Sequence, residues 1–145
     1  MSIIDEISNL FSIEAKELPA TEMEIKELID FSSIEIPADY IEIVKLATEI
    51  EINVKNEMYI RIWGPSDCIE MNEAHYIQKY IPNSLAIGDD EGGNVLIYLE
   101  GKGGFGLYMV GFGNLDIVDA VKIAPSLRDL LVNNIGIDEV MSGYV

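Results

Sequence analysis

Apolar residues recur along this chain in two rhythms, one helical and one alternating, and the switch between them marks out its elements. From Thr21 onward, Ile25, Leu28 and Ile29 fall on one helical face, while Glu22, Glu24, Lys26 and Glu27 turn to water. Thr21-Glu22-Met23-Glu24 fits a capping box, in which the Thr hydroxyl covers a free amide and the Glu three residues later reaches back, so a helix starts here. A second helix is predicted from Pro37 or Ala38 to about Thr48, with Tyr40, Ile41, Val44 and Ala47 or Thr48 at helical spacing. The short link over 32–36 makes the two a helical hairpin.

The rhythm then changes to period two. Ile50 to Val54 is followed by Glu57 to Trp63, where Met58, Ile60 and Ile62 share one face and Tyr59, Arg61 and Trp63 the other. Gly64-Pro65-Ser66 breaks the strand. A helix capped by Ser66 or Asp67 is predicted from Asp67 to Tyr80, burying Ile69, Tyr76, Ile77 and Tyr80, with Pro82 and Asn83 as its stop. Three β segments follow, Ser84 to Asp89, Asn94 to Glu100 and Phe105 to Phe112, joined by Asp90-Glu91-Gly92-Gly93 and by the Gly101 to Gly104 turn. A last strand over Ile117 to Ile123 precedes a closing helix through Leu127, Leu130 and Leu131, capped by Ser126. Helices, then strands, then a helix, without a repeating βα unit, predict an α+β domain with a central, mostly antiparallel meander and helices packed around it. Residues 1–20 are set apart as an N-terminal extension, a short helix or a loose segment, and 21–145 as one domain.

Composition supports a packed core: 49% of the 145 residues are hydrophobic and 24% charged, far from the make-up of a disordered chain. The single cysteine, Cys68, excludes an intrachain disulfide, and with one histidine, His75, no Cys/His zinc set can be assembled. With no basic n-region at the N-terminus and no apolar run near the ~20 residues of a membrane helix, the expected location is the cytoplasm. Charge narrows the partners further. With 26 acids against 9 bases the net charge is −17, which argues against nucleic acid and anionic membranes, since surfaces for phosphate need clustered Lys and Arg. The same excess attracts a basic protein, although charge alone favours the plainer reading of solubility.

Catalytic constellations fail one by one. Gly101-Lys102-Gly103-Gly104-Phe105-Gly106 spells a dinucleotide fingerprint, but a strand follows it where a helix must offer its amides to phosphate, so it reads as a flexible hairpin loop. Cys68 and His75 lie about 10 Å apart along the predicted helix axis, too far for thiol activation. No Gly-x-Ser-x-Gly elbow supplies a hydrolytic serine. Asp89-Asp90-Glu91-Gly92-Gly93-Asn94 is the best candidate for a hard cation, yet it lacks the spacing of a calcium loop and reads first as a solvated turn. No catalytic residue, metal ligand or cofactor is assigned. The face Tyr59, Arg61 and Trp63 carries side chains typical of interface hot spots, or else lies under a helix as core; both readings stand.

The order of these motifs resembles the Smi/Knr family of the SUKH superfamily. Ile36-Pro37-Ala38-Asp39-Tyr40 is similar to its Leu-Pro-x-Asp-Tyr helix start, followed by Ile62-Trp63-Gly64, the stretch from Asp67 through Asn72 to Tyr76, Leu85 to Gly93 with its acidic Gly-rich turn, and Leu127 to Leu131. The resemblance spans about 21–133. Where the family often has Asn-Gly after the second helix, this chain has Ala47-Thr48-Glu49-Ile50-Glu51, so that turn must differ. The resemblance implies an α+β fold, no catalytic apparatus and a protein partner; many bacterial members look like immunity proteins that neutralise a polymorphic toxin, often a nuclease. On this reading the partner is a basic toxin domain, met by Asp89, Asp90 and Glu91 as anions, with Tyr59, Arg61 and Trp63 as further contacts. A regulatory or scaffolding protein of the same fold is the alternative, and a cation-binding protein a more distant one. The oligomeric state is left open.

Overall fold

The alternation of Met58, Ile60 and Ile62 with Tyr59 and Arg61 becomes a strand, β3 (Met58–Ile62), in a computed structural model that describes residues 2–142. Six further strands complete one sheet: β1 (Phe11–Glu17), β2 (Thr48–Val54), β4 (Leu85–Asp89), β5 (Asn94–Gly101), β6 (Gly104–Gly111) and β7 (Val121–Ala124). Each pairs antiparallel with its neighbour in sequence, so the sheet order is the chain order. Around this meander pack α1 (Ile3–Glu6), α2 (Glu22–Phe31), α3 (Ala38–Val44), α4 (Pro65–Ala74), α5 (Ile77–Tyr80), α6 (Leu127–Leu131) and α7 (Ile137–Ser142), which gives the α+β class that the sequence predicts. The centre of the core is β5 against β6, where Val95 to Leu99 and Leu107 to Val110 are all buried, so both sheet faces are covered there.

Local chemistry explains most boundaries. Both halves of the Thr21/Glu24 capping box form, the Thr21 Oγ1 accepting from the Glu24 N–H at 3.1 Å and the Glu24 Oε1 from the Thr21 N–H at 2.9 Å. Ile25 and Leu28 are buried on α2, but Ile29 is 53% exposed and leaves the predicted stripe. α3 ends at Val44, four residues short of the expectation, because Thr48, Ile50, Ile52 and Val54 are β-branched at alternate positions and are drawn into β2. The predicted 67–80 helix starts two residues early, with Pro65 in the first turn, and it breaks at Tyr76, whose φ of 53° is left-handed. That break turns Tyr76 and Tyr80 out to solvent; of the four residues expected inside, only Ile77 is fully buried. The last strand is shorter than predicted, since Asp116 caps a 3-10 turn at Ile117–Asp119 ahead of β7.

Asn72 fixes α4 on the sheet. Its carboxamide nitrogen donates to the Cys68 and Ala86 carbonyls at 2.7 and 2.9 Å, and its oxygen accepts from the Ala86 N–H and Gln78 Nε2 at 3.1 and 2.9 Å. All four of its hydrogen-bonding capacities are used, which lets an amide be buried without penalty. Beside it β4 comes so close to β3 that a Cβ at Gly88 would collide with the Arg61 carbonyl oxygen.

The segment before residue 21 joins the same sheet. β1 pairs with β2 from Phe11↔Val54 to Glu17↔Thr48, Ile3 and Phe11 are buried, and Arg128 of α6 holds Glu6 at 3.2 Å. α7, which the sequence reading did not contain, follows Gly136 at φ 91°.

Candidate protein-binding face

The antiparallel registers line up Glu51 of β2, Arg61 of β3 and Asp89 of β4 as cross-strand neighbours, with Asn53 opposite Tyr59 one step along. Alternation puts Glu51, Arg61, Tyr59 and Asp89 on the sheet face opposite Ile50, Ile52, Ile60 and Ile62. The Arg61 guanidinium stands 3.3 Å from Glu51 and 3.7 Å from Glu91. Two groups that the sequence reading kept apart, the Tyr59/Arg61 face and the acidic turn, therefore form one patch. Tyr59 is 38% exposed and flanks it.

Two of the expected contact residues turn inward. Trp63 lies past the end of β3 and is only 2% exposed; its N–H donates to the Ile87 carbonyl and its Nε1–H to Asp89 Oδ2, both at 2.9 Å. It orients Asp89 from below and offers a partner no surface, which corrects its placing as an interface anchor. Asp90 is likewise committed. Its Oδ1 accepts from the Gly92 and Asn94 N–H groups at 2.8 and 3.0 Å and its Oδ2 from Asn94 Nδ2 at 2.8 Å, so this carboxylate builds the turn. Glu51 was missed, because nothing in Thr48 to Val54 marks one glutamate until the strand register sets it against Arg61.

Two carboxylates, Glu51 and Glu91, thus share one guanidinium, with Asp89 opposite Arg61 on the neighbouring strand. Glu91 records the crowding: partial burial, and then the hydrogen bond and charge of Glu51, raise its carboxyl above the ordinary value, while Arg61 pulls the other way. At the other end of β2, Glu49 is half-buried and its carboxyl rises from 4.5 to about 7, chiefly through desolvation, helped by Asp67 and Glu17 and opposed by the Gly64 N–H, which donates to it at 2.6 Å. Glu49 has a left-handed φ of 47°, a conformation that the Asn-Gly of the related pattern would adopt at less cost.

The other candidates resolve into scaffold. Cys68 is fully buried with Sγ 3.1 Å from the Tyr40 hydroxyl, and burial pushes its thiol well above the ordinary range, away from nucleophilic chemistry. His75 is half-buried and packs against Phe112, with ring centroids 4.4 Å apart and planes tilted by 38°. The Gly101 to Gly104 turn is tied down by Tyr108, whose hydroxyl accepts from the Gly101 and Gly103 N–H groups and donates to the Gly104 carbonyl at 2.6 Å, in place of the flexible loop expected. Among the described residues no group of three or more His, Cys, Asp or Glu side chains is placed to hold a metal ion, and no helix is long and apolar enough to cross a membrane.

The Pro37-Ala38-Asp39-Tyr40 motif is structural. Asp39 accepts from the Tyr98 hydroxyl at 3.1 Å and the Arg128 N–H at 3.2 Å, while the Tyr40 hydroxyl donates to the Trp63 carbonyl at 2.7 Å. One turn of α3 thereby locks β5, α6 and the end of β3. Comparison with curated proteins gave no match. The sequence profile of the SMI1 / KNR4 family (SUKH-1), however, matches residues 19–133, a span that holds α2 through α6 and every strand of the sheet except β1. The chain belongs to the SMI1 / KNR4 family (SUKH-1).

Proposed function

We propose that this protein is an immunity-type binding module that neutralises a toxin domain by occupying it directly, and that Glu51, Tyr59, Arg61, Asp89 and Glu91 form the docking face. The observation that carries the reading is the sharing of one arginine by two carboxylates, Glu51 and Glu91, with Asp89 across the strands from it, at an accessible sheet surface. Exposed ion pairs contribute only about 0–1 kcal/mol to a fold, so stability does not account for an arrangement that leaves Glu91 repelled by its neighbours. A cationic partner relieves that repulsion, and the net charge of −17 speeds its approach. A nuclease toxin must carry a basic surface to hold nucleic acid, which makes it a fitting target for an acidic face. Tyr59 supplies the amphipathic anchor such a face needs. The module would work in the cytoplasm of the cell it protects.

The test is to identify the adjacent gene and co-express this protein with the toxin domain that the proposal expects it to encode. Cells survive and the two proteins co-purify if the reading is right, and Glu51→Lys with Glu91→Lys abolishes both effects while the fold persists. A protein that neither binds the toxin nor protects cells from it contradicts the proposal.

A further inference from the structure

We infer that a second recognition element adjoins this face: a cleft between the α4–α5 joint and the β6–β7 connection that receives an arginine side chain of the protein partner. The inference rests on the protein-binding reading above and adds the chemistry of a second contact. The cleft, about 600 Å³, is lined by His75, Tyr76, Tyr80, Phe112, Asp116 and Asp119 among others. Tyr76 and Tyr80 are 64% and 51% exposed, and both carboxylates are exposed.

Three features select a planar cation. The first is the set of ring faces, which attract a guanidinium through their quadrupoles and stack against its plane. The Tyr80 ring already holds a cation near it, with Lys79 Nζ 5.6 Å from its centroid. The second is charge: Asp116 and Asp119 stand at the rim, and the cleft includes Ala74 and His75 at the carboxyl end of α4, whose last turn carries no basic residue to offset the helix dipole. The third is shape. Tyr76 stands where the backbone turns left-handed, and this break in the predicted helix is what brings Tyr76 and Tyr80 to the surface.

Position links the cleft to the acidic turn. The Phe112 N–H donates to the Gly93 carbonyl at 2.9 Å, and the Phe112 ring packs at a tilt against His75, so cleft and turn meet at Phe112. A partner that extends from Glu91 past Gly93 reaches this cleft.

Titration of the full chain with a blocked Gly-Arg-Gly peptide, followed by aromatic ¹H–¹³C NMR, tests the inference without any toxin. The expected result is saturable shifts at His75, Tyr76, Tyr80 and Phe112, weakened about fivefold or more by Tyr76→Asn with Tyr80→Ala, in line with the loss of two cation–π contacts. Asn tolerates the left-handed backbone at residue 76, and both side chains are exposed, so the double variant keeps the fold. Lys79→Ala, which frees the Tyr80 ring and removes a like charge, tightens binding. The same peptide with neutral citrulline in place of arginine gives no saturable shifts. Equal binding of the citrulline peptide, shifts confined to the Glu51/Glu91 face, or indifference to the Tyr76/Tyr80 variant each overturns the inference. Failure of toxin binding leaves this readout intact, so the two proposals fall separately.

Discussion

Tyr98 shows how much of this chain's polar chemistry goes into holding elements together. Its hydroxyl donates to Asp39 and accepts from the Leu127 N–H at 2.9 Å, and burial beside a carboxylate raises it well above the usual range. Tyr98→Phe leaves an aspartate and a backbone amide without their shared partner, and should lower unfolding free energy by about 1–3 kcal/mol in urea titration. Glu49 makes the opposite case. The folded chain keeps its proton up to about pH 7 while the unfolded chain has released it near 4.5, so its contribution makes stability fall as pH rises through that window and stay level above it. Glu49→Gln retains the acceptor for the Gly64 N–H and removes the buried charge. It should stabilise the protein at pH 8 by roughly 1 kcal/mol, after discounting for a side chain half in water, and have little effect below pH 4.5. Paired melting curves at pH 4 and pH 8 check it, and equal shifts at both would show that charge is not the cause.

At the scale of elements, legibility followed burial. β3 was readable because alternate residues face a covered side, β4 to β6 because near-continuous apolar runs end at turns rich in glycine, and α2 because its capping box is written in four consecutive letters. β1 was not readable. Only Phe11 of its seven residues is buried, and shifts of register at Ala15 and Glu17 erase any alternation, so tertiary pairing and not pattern makes it a strand. The break at Tyr76 was hidden for a related reason: Tyr76 and Tyr80 match a helical stripe, and the hydrogen bonds by which Asn72 holds α4 to Ala86 of β4 are tertiary contacts. The residues of the proposed face divide the same way. Tyr59, Arg61, Asp89 and Glu91 could be found from composition and turn chemistry; Glu51 needed the register, and the inward turn of Trp63 and Asp90 needed their hydrogen-bond partners. Although the family match begins at residue 19, removal of residues 1–18 should destabilise the domain by about 3 kcal/mol or more, since Ile3 and Phe11 each bury a full side chain and β2 becomes an open edge. An unchanged urea midpoint would show that β1 and α1 contribute nothing.

At the scale of the whole molecule, 26 acids surround a fold whose buried polar groups are almost all satisfied, with Asn94 Oδ1 alone among the described buried side-chain atoms lacking a protein donor. Asp39, Asp90 and Glu49 are committed to hydrogen bonds within the fold, but most of the acids are exposed, and it is on these that an encounter with the proposed basic partner would draw. Such an encounter is steered by field and damped by salt, whereas the lifetime of the complex depends on close contacts. Glu91 adds a pH signature. Its raised carboxyl must be deprotonated to meet a cation, so affinity should fall as pH drops into the carboxylate range, and less steeply in Glu91→Gln.

The central claim is most directly tested by the association rate with the basic toxin domain proposed as partner, measured by stopped flow from 20 to 300 mM salt on wild type and on Glu51→Gln with Glu91→Gln. The account predicts a wild-type rate that falls at least about tenfold across that range, and a variant that associates more slowly at low salt with a shallower dependence. A salt-independent rate, or a variant indistinguishable from wild type, would contradict it.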